Sequence, residues 1–304
     1  MAASRALRLN GGAPVFNRPV STPANFLKFI RFSHTIFAMP FALGAMLVAA
    51  RGWPGWRLCA LIVLCMVFAR SAAMCFNRVA DWEIDKRNPR TAGRHRLLSR
   101  PLAIAATVAS SLLFMGTTYF INPLCLALSP VALGIIFFYS LTKRFTWAAQ
   151  FFLGLALSVA PMGAWLAVKG QFDLAPMALC LGVLLWVAGF DTIYATQDYE
   201  VDRQEGLKSL VTRLGIPRAL VAAQVLHALM YLCLIAFGAL AGLGLWYWIG
   251  IALIAPVLWY EHHVAAGGDL RQIDKAFFTA NAVVGAIFVS CLLLGLVVWP
   301  ALGL

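Results

Sequence analysis

Charge is what this sequence has least of. Asp, Glu, Lys and Arg together make up 12% of its 304 residues, where a soluble domain carries about a quarter. The residues AVILMFWYC make up 62%. A surface built from such a chain must face something other than water, which excludes a soluble globular enzyme. The seven cysteines contain no CxxC pair and no Cys/His ligand spacing. Nearly all of them fall inside apolar runs, so they read as small buried hydrophobes rather than a redox or zinc site. The apolar runs lack strict alternation, which excludes a single-chain β-barrel. No linker rich in Pro, Gly or Ser divides the chain. It reads as a flexible cytoplasmic tail, 1–25, followed by a single domain, 26–304.

What the chain does have is length in its apolar runs. Spanning a bilayer takes about 20 such residues. Nine stretches qualify, at about 32–50, 58–76, 102–121, 124–140, 149–168, 174–196, 219–241, 244–260 and 277–299. The expected fold class is all-α: a polytopic membrane bundle of nine transmembrane helices. With Met1 inside, 20 of the 24 Lys and Arg fall in inside segments and three (Arg51, Arg57, Lys169) in outside loops, while Arg70 lies within the second span. This is the positive-inside pattern, and it places Leu304 outside. The net charge of +12 then describes topology and lipid headgroups, with no nucleic-acid partner implied. The lipid bilayer is the expected surrounding. The bacterial plasma membrane is the expected location, with the mitochondrial inner membrane as the weaker reading.

The chemistry is concentrated in a repeat. The second span ends in Asn77-Arg78-Val79-Ala80-Asp81-Trp82-Glu83-Ile84-Asp85. The sixth ends in Asp191-Thr192-Ile193-Tyr194-Ala195-Thr196-Gln197-Asp198-Tyr199-Glu200-Val201-Asp202. On a continuous helix Asn77, Asp81 and Asp85 share an arc of about 80°, as do Asp191, Tyr194, Asp198 and Asp202; Glu83 and Glu200 point away. A solvated charge run would show no such sorting. Carboxylates stacked at i, i+4 repel one another and call for a cation. Two facing stripes of carboxylate and amide oxygens suit Mg²⁺, which takes carboxylates, phosphate oxygens and water. Basic residues flank each stripe on its C-terminal side: Lys86, Arg87, Arg90, Arg94 and Arg96, then Arg203, Lys208 and Arg213. Tyr139 and Lys143 close the fourth span at i, i+4, with Arg144 next. Acids and bases together at one membrane face are what a metal–diphosphate site requires. Arg70 lies two turns before Asn77 on its face, and an arginine inside a span is costly against lipid, so it is expected to face the cavity. His227, His262 and His263 show no constellation.

The pattern NxxxDxxxD followed four spans later by DxxYxxxDxxxD resembles the UbiA family of intramembrane aromatic prenyltransferases. Asn88-Pro89-Arg90-Thr91-Ala92-Gly93-Arg94, Tyr139-x-x-x-Lys143 and Gly206-Leu207-Lys208-Ser209 extend the resemblance over about residues 26–299. It implies nine helices around a cavity under a cytoplasmic cap. It further implies Asn77, Asp81, Asp198 and Asp202 around Mg²⁺ with Asp85 beside them. Arg90, Arg94, Tyr139 and Lys143 would hold the diphosphate. Asp191, deeper in, would orient the acceptor or take its proton, with Arg70 and Tyr194 in the substrate cavity. The chain departs from the pattern at Arg78, where many members carry Asp, and at His95, where Pro is common.

The activity implied is Mg²⁺-dependent transfer of a polyprenyl group from polyprenyl diphosphate to an aromatic carboxylate acceptor in respiratory quinone biosynthesis. The stretches 32–42 and 189–195 resemble the 4-hydroxybenzoate polyprenyltransferase-like branch. A dihydroxynaphthoate acceptor in menaquinone synthesis is the alternative. A cation-coupled transporter is the rival from another class, but it would favour carboxylates near the midplane. The charge asymmetry also generates an expected outcome. A C-terminal alkaline phosphatase fusion should be active and a C-terminal green fluorescent protein fusion dark; the opposite result would invert the topology.

Overall fold

The computed structural model describes residues 23–30, 38–87, 91, 93, 97–267 and 270–301, with backbone alone at 23–24 and 270–277. The described residues form helices: α1 (Pro23–Phe29), α2 (Met39–Ala50), α3 (Trp56–Ala80), α4 (Trp82–Arg87), α5 (Arg100–Tyr119), α6 (Pro123–Thr142), α7 (Ala149–Lys169), α8 (Leu174–Ala195), α9 (Tyr199–Gln204), α10 (Leu210–Leu214), α11 (Ile216–Leu240), α12 (Leu245–Ala266), α13 (Leu270–Leu293) and α14 (Trp299–Ala301). Among the described residues, eight segments are long and apolar enough to cross a membrane: α3, α5, α6, α7, Leu174–Gln204, α11, α12 and Phe278–Ala301. The run expected at 32–50 is helical over Met39–Ala50, 12 residues. That is about 18 Å at 1.5 Å per residue, short of the bilayer core by itself. Residues 31–37, which would extend it, lie outside the described residues, as does most of the N-terminal tail.

Consecutive long helices pack side by side from α5 through α8, then α8 on α11, α11 on α12 and α12 on α13; α3 leans on α5 and α6. The short α2 fits between α7 and α13. Its Phe41 ring lies 4.8 Å from Trp186 of α8 and 4.7 Å from Phe288 of α13. These rings are fully buried together with Phe237 of α11 and form the centre of the core. The other faces carry Leu112, Val131, Val221, Leu232 and Leu253 outward, where lipid and not water is their solvent.

Local chemistry sets the ends. The Asn122 side chain accepts from Cys125 N at 2.8 Å to start α6, and its amide donates to Leu166 O of α7 at 2.9 Å, so one cap also ties two helices. Gly170 (φ 67°) closes α7 in the left-handed region. Gly154 lets the α7 and α8 backbones touch: a Cβ there would collide with Leu184 O. Between the apolar runs at 244–260 and 277–299 the described chain is largely helical, because α12 runs on to Ala266 and α13 begins at Leu270.

Hydrogen bonding within the bundle explains part of this extension. Glu261, 1% exposed, accepts from Asn281 Nδ2 of α13 at 3.0 Å and lies 3.8 Å from His227 Nδ1 of α11. His227 Nε2 is 3.1 Å from Trp186 O, and its Nδ1 is 3.0 Å from His262 Nε2. A carbonyl can only accept, so His227 donates through Nε2 and its Nδ1 accepts from His262. The two histidines that showed no constellation in the sequence thus join Glu261 and Asn281 in a polar clasp across α8, α11, α12 and α13.

The close approach and the clasp each have a measurable energy. Gly154→Ala should lower stability in detergent by about 1–3 kcal/mol, since backbone must move; an unchanged melting temperature would contradict the close approach. Asn281→Leu removes the donor to a buried carboxyl and should cost about 1–3 kcal/mol, read from the same melting curves.

Candidate functional site

Both acidic motifs sit at breaks in their helices. α3 ends at Ala80, and Asp81 caps it with φ −93° and ψ 15°. The bonds Asp81 N to Asn77 O (2.9 Å) and Asp85 N to Asp81 O (2.8 Å) carry the i, i+4 stacking across the break into α4. In the second motif α8 stops at Ala195, and Thr196–Asp198 form a 3₁₀ turn before α9. A 3₁₀ turn advances about 120° per residue rather than 100°, so three residues rotate the face of α9 by about 60°. The single-helix arc expected for Asp191 through Asp202 is corrected accordingly. Sorting by face persists: Glu83 and Glu200 are exposed, Asp81 is buried, and Asp191, Tyr194, Asp198 and Asp202 are half-buried.

Asp81 is the centre of the first motif. It is 3% exposed, with its Oδ2 2.7 Å from Lys143 Nζ and its Oδ1 3.4 Å from Arg144 Nη2. Asn77 Nδ2 donates to the same Oδ2 at 3.4 Å. Arg144 also donates to Ala80 O, covering the last carbonyl of α3. Arg78 is 6% exposed; its Nη1 donates to Asn77 Oδ1 at 3.3 Å and lies 3.7 Å from Asp85 Oδ2. Tyr139, one turn before Lys143, has Arg70, Arg78 and Asp81 within electrostatic reach. The structure therefore brings Asn77, Asp81, Asp85, Tyr139 and Lys143 to one end of the α3–α6 interface, with Arg70 deeper along α3 and within electrostatic reach of Tyr139.

The segment after the second motif is tied to this cluster. Lys143 O accepts from Lys208 N at 2.7 Å, so one residue holds Asp81 by its side chain and the second motif's loop by its backbone. Leu207 N donates to Asp202 O at 2.8 Å, and Gly206 at φ 66° makes the turn between them. Lys208 Nζ reaches Phe145 O at 3.4 Å, and Leu210 N donates to Gln150 Oε1 at 3.1 Å. Arg213 lies over the Trp147 ring at 4.3 Å. An ion pair of 3.0 Å between Arg87 and Glu205 joins the ends of α4 and α9. Arg90 and Arg94 lie outside the described residues.

Among the described residues, no three His, Cys, Asp or Glu side chains come close enough to hold a metal by themselves. Side chains meet part of the charge that the sequence pattern assigns to a metal: Lys143 and Arg144 answer Asp81, and Arg78 answers Asp85. The donor set is nonetheless all carboxylate and amide oxygen, which fits Mg²⁺ completed by phosphate oxygens and water. Arg78 and Arg144 were not among the expected site residues. The signal for both was a basic residue directly adjoining a motif position.

A profile of the UbiA prenyltransferase family matches residues 38–292. The 4-hydroxybenzoate octaprenyltransferase of Alkalilimnicola ehrlichii is 32% identical over 250 residues, which cover 81% of this chain and 85% of that protein. The 4-hydroxybenzoate octaprenyltransferase of Polaromonas sp. is 35% identical over 226 residues, 72% of this chain and 77% of that protein. Among solved structures, the apo UbiA homologue of Aeropyrum pernix superposes with a TM-score of 0.79 at 32% identity, covering 86% of this chain and 97% of that one. The UbiA homologue of Archaeoglobus fulgidus bound to GPP and Mg²⁺ shares the fold, with a TM-score of 0.68 at 21% identity over 88% of this chain and 98% of that one. Matched from residue 38 to 292 and folded like its homologues, this multi-helix membrane protein belongs to the UbiA prenyltransferase family and is a prenyltransferase.

Proposed function

We propose that the chain moves a polyprenyl group from polyprenyl diphosphate onto the ring of 4-hydroxybenzoate, with Mg²⁺, at the cytoplasmic face of a bacterial inner membrane, as a step in respiratory quinone synthesis. The observation that carries this reading is the buried Asp81 carboxylate held by Lys143 at 2.7 Å and Arg144 at 3.4 Å, with Arg78 beside the neighbouring Asp85, at one end of the helix bundle. Lys143, Arg144 and Arg78 outnumber the two carboxylates they touch, Asp81 and Asp85, and the surplus positive charge suits an anion. A diphosphate whose prenyl tail lies among apolar helices is the anion that fits. The acceptor assignment draws on the named relatives and on Arg70, a cation for the acceptor's carboxylate.

In this reading Lys143 and Tyr139 bind the diphosphate oxygens, joined by Arg90 and Arg94. The C1–O bond breaks with its electron pair leaving on the diphosphate, whose growing charge these groups stabilise. Oxygens among Asn77, Asp81, Asp85, Asp198 and Asp202 would hold Mg²⁺, which would supply further charge neutralisation. The ring carbon ortho to the hydroxyl bonds to C1, and Asp191 takes the proton that the ring gives up, with Tyr194 lining the pocket. The apolar walls keep water from the allylic cation.

Purified protein in detergent, given Mg²⁺, polyprenyl diphosphate and 4-hydroxybenzoate, should release diphosphate. Asp81→Ala and Asp198→Ala should each lower turnover by about 10²-fold or more, and full turnover in both would defeat the assignment. Product from dihydroxynaphthoate alone would keep the chemistry and change the acceptor.

A further inference from the structure

We infer that the seam between α6 and α7, with α10 beside it, binds an anionic phospholipid: Lys208 and Arg213 take the headgroup phosphate, and an aromatic column below them takes an acyl chain. The inference does not depend on the prenyl-transfer reading. α6 ends at Thr142, α7 begins at Ala149 and α11 begins at Ile216, and all three are long and apolar enough to span a membrane. The turn at 143–148 and α10 therefore lie where spans leave the hydrocarbon, at the depth of lipid headgroups. Two cations bracket that turn. Lys208 Nζ lies 3.4 Å from Phe145 O, and the Arg213 guanidinium sits 4.3 Å over the Trp147 ring. Both side chains are exposed, and among the described residues neither forms an ion pair with an Asp or Glu. By contrast, Lys143 and Arg144 meet Asp81, Arg78 meets Asp85, and Arg87 meets Glu205.

The two cations keep donors to spare. The indole face attracts the guanidinium without occupying its N–H fork, which matches phosphate oxygens. An ammonium has three donors, and the Phe145 carbonyl takes one. Below them the surface turns apolar. Phe145 is 52% exposed, and Phe138, in the last two turns of α6, is 45% exposed. The Phe138 ring lies 5.9 Å from that of Phe145 and 5.3 Å from that of Phe152 on α7. Phe138 and Phe152 belong to spans, so the column runs from headgroup level into the hydrocarbon. A soluble anion has no use for such a column, whereas a phospholipid carries both halves of what the seam offers. The charge bias places this end of the bundle at the cytoplasmic leaflet, whose anionic lipids attract basic segments. The bound lipid also has structural work to do. Lys143 opens the same turn, holds Asp81 and accepts from Lys208 N, so a headgroup shared by Lys208 and Arg213 braces α10 against the turn.

The test reads lipid rather than turnover. Delipidated full-length protein in detergent is titrated with phosphatidylglycerol or phosphatidylcholine of identical acyl chains, and retained lipid is measured by native mass spectrometry. The wild type should bind phosphatidylglycerol about tenfold more tightly or better, and the double variant Lys208→Gln/Arg213→Gln should lose that preference. Arg100→Gln, which removes an exposed charge at the same end of the bundle, should keep it. Equal binding of the two lipids by the wild type would overturn the inference, and this outcome needs no variant to fold. A full preference in the monodisperse double variant would overturn it too. So would an equal loss in Arg100→Gln, since bulk charge would then be responsible. Glycerophosphoglycerol, the headgroup without chains, should leave the lipid bound at equal concentration; displacement would replace the lipid site with one for soluble phosphates.

Discussion

A carboxylate with 3% of its surface exposed is tolerable in an apolar helix bundle only if a cation touches it, and the Asp81–Lys143 contact meets that condition. Much of the site's geometry depends on it. Lys143 ends α6 and Asp81 ends α3, so the ion pair brings these two helix ends together at the expected cytoplasmic face. The Lys143 carbonyl receives the loop behind the second motif, so the same residue couples that loop to the first motif.

Both acidic motifs lie at breaks in their helices. An uninterrupted helix through Asp81 or Asp198 would carry its polar groups straight out of the bundle on its own axis. The cap at Asp81 and the 3₁₀ turn at Thr196–Asp198 instead separate α4 from α3 and α9 from α8. The Arg87–Glu205 pair then ties those two short helices to each other. It is an exposed contact of small energy, whose effect is one of register.

A second polar group, His227 with His262, Glu261 and Asn281, lies between other helices and performs a different task. Each of its hydrogen bonds connects two helices, and one reaches the Trp186 carbonyl of α8, the helix that carries Asp191. In hydrocarbon such a clasp fixes helix rotation where apolar contacts alone would allow sliding. The ring packing of Phe41, Trp186 and Phe288 sets the distance between helices; the clasp sets their facing.

Hydropathy and charge bias by themselves determined the membrane class, the helical architecture and most span limits, because a bilayer demands long apolar runs with internally bonded backbone. The period of the aspartates was likewise legible, since stacking at i, i+4 is a local property and Glu83 and Glu200 do fall on the outer side. What the tertiary structure alone decided was pairing. Nothing in the spacing of Asn77-Arg78 reveals that the guanidinium folds back onto Asn77 and Asp85. Nor can spacing show that Lys143, 62 residues from Asp81, neutralises it. The same holds for four polar residues on three helices that meet as a clasp, because a partner brought by packing leaves no periodic trace in the chain.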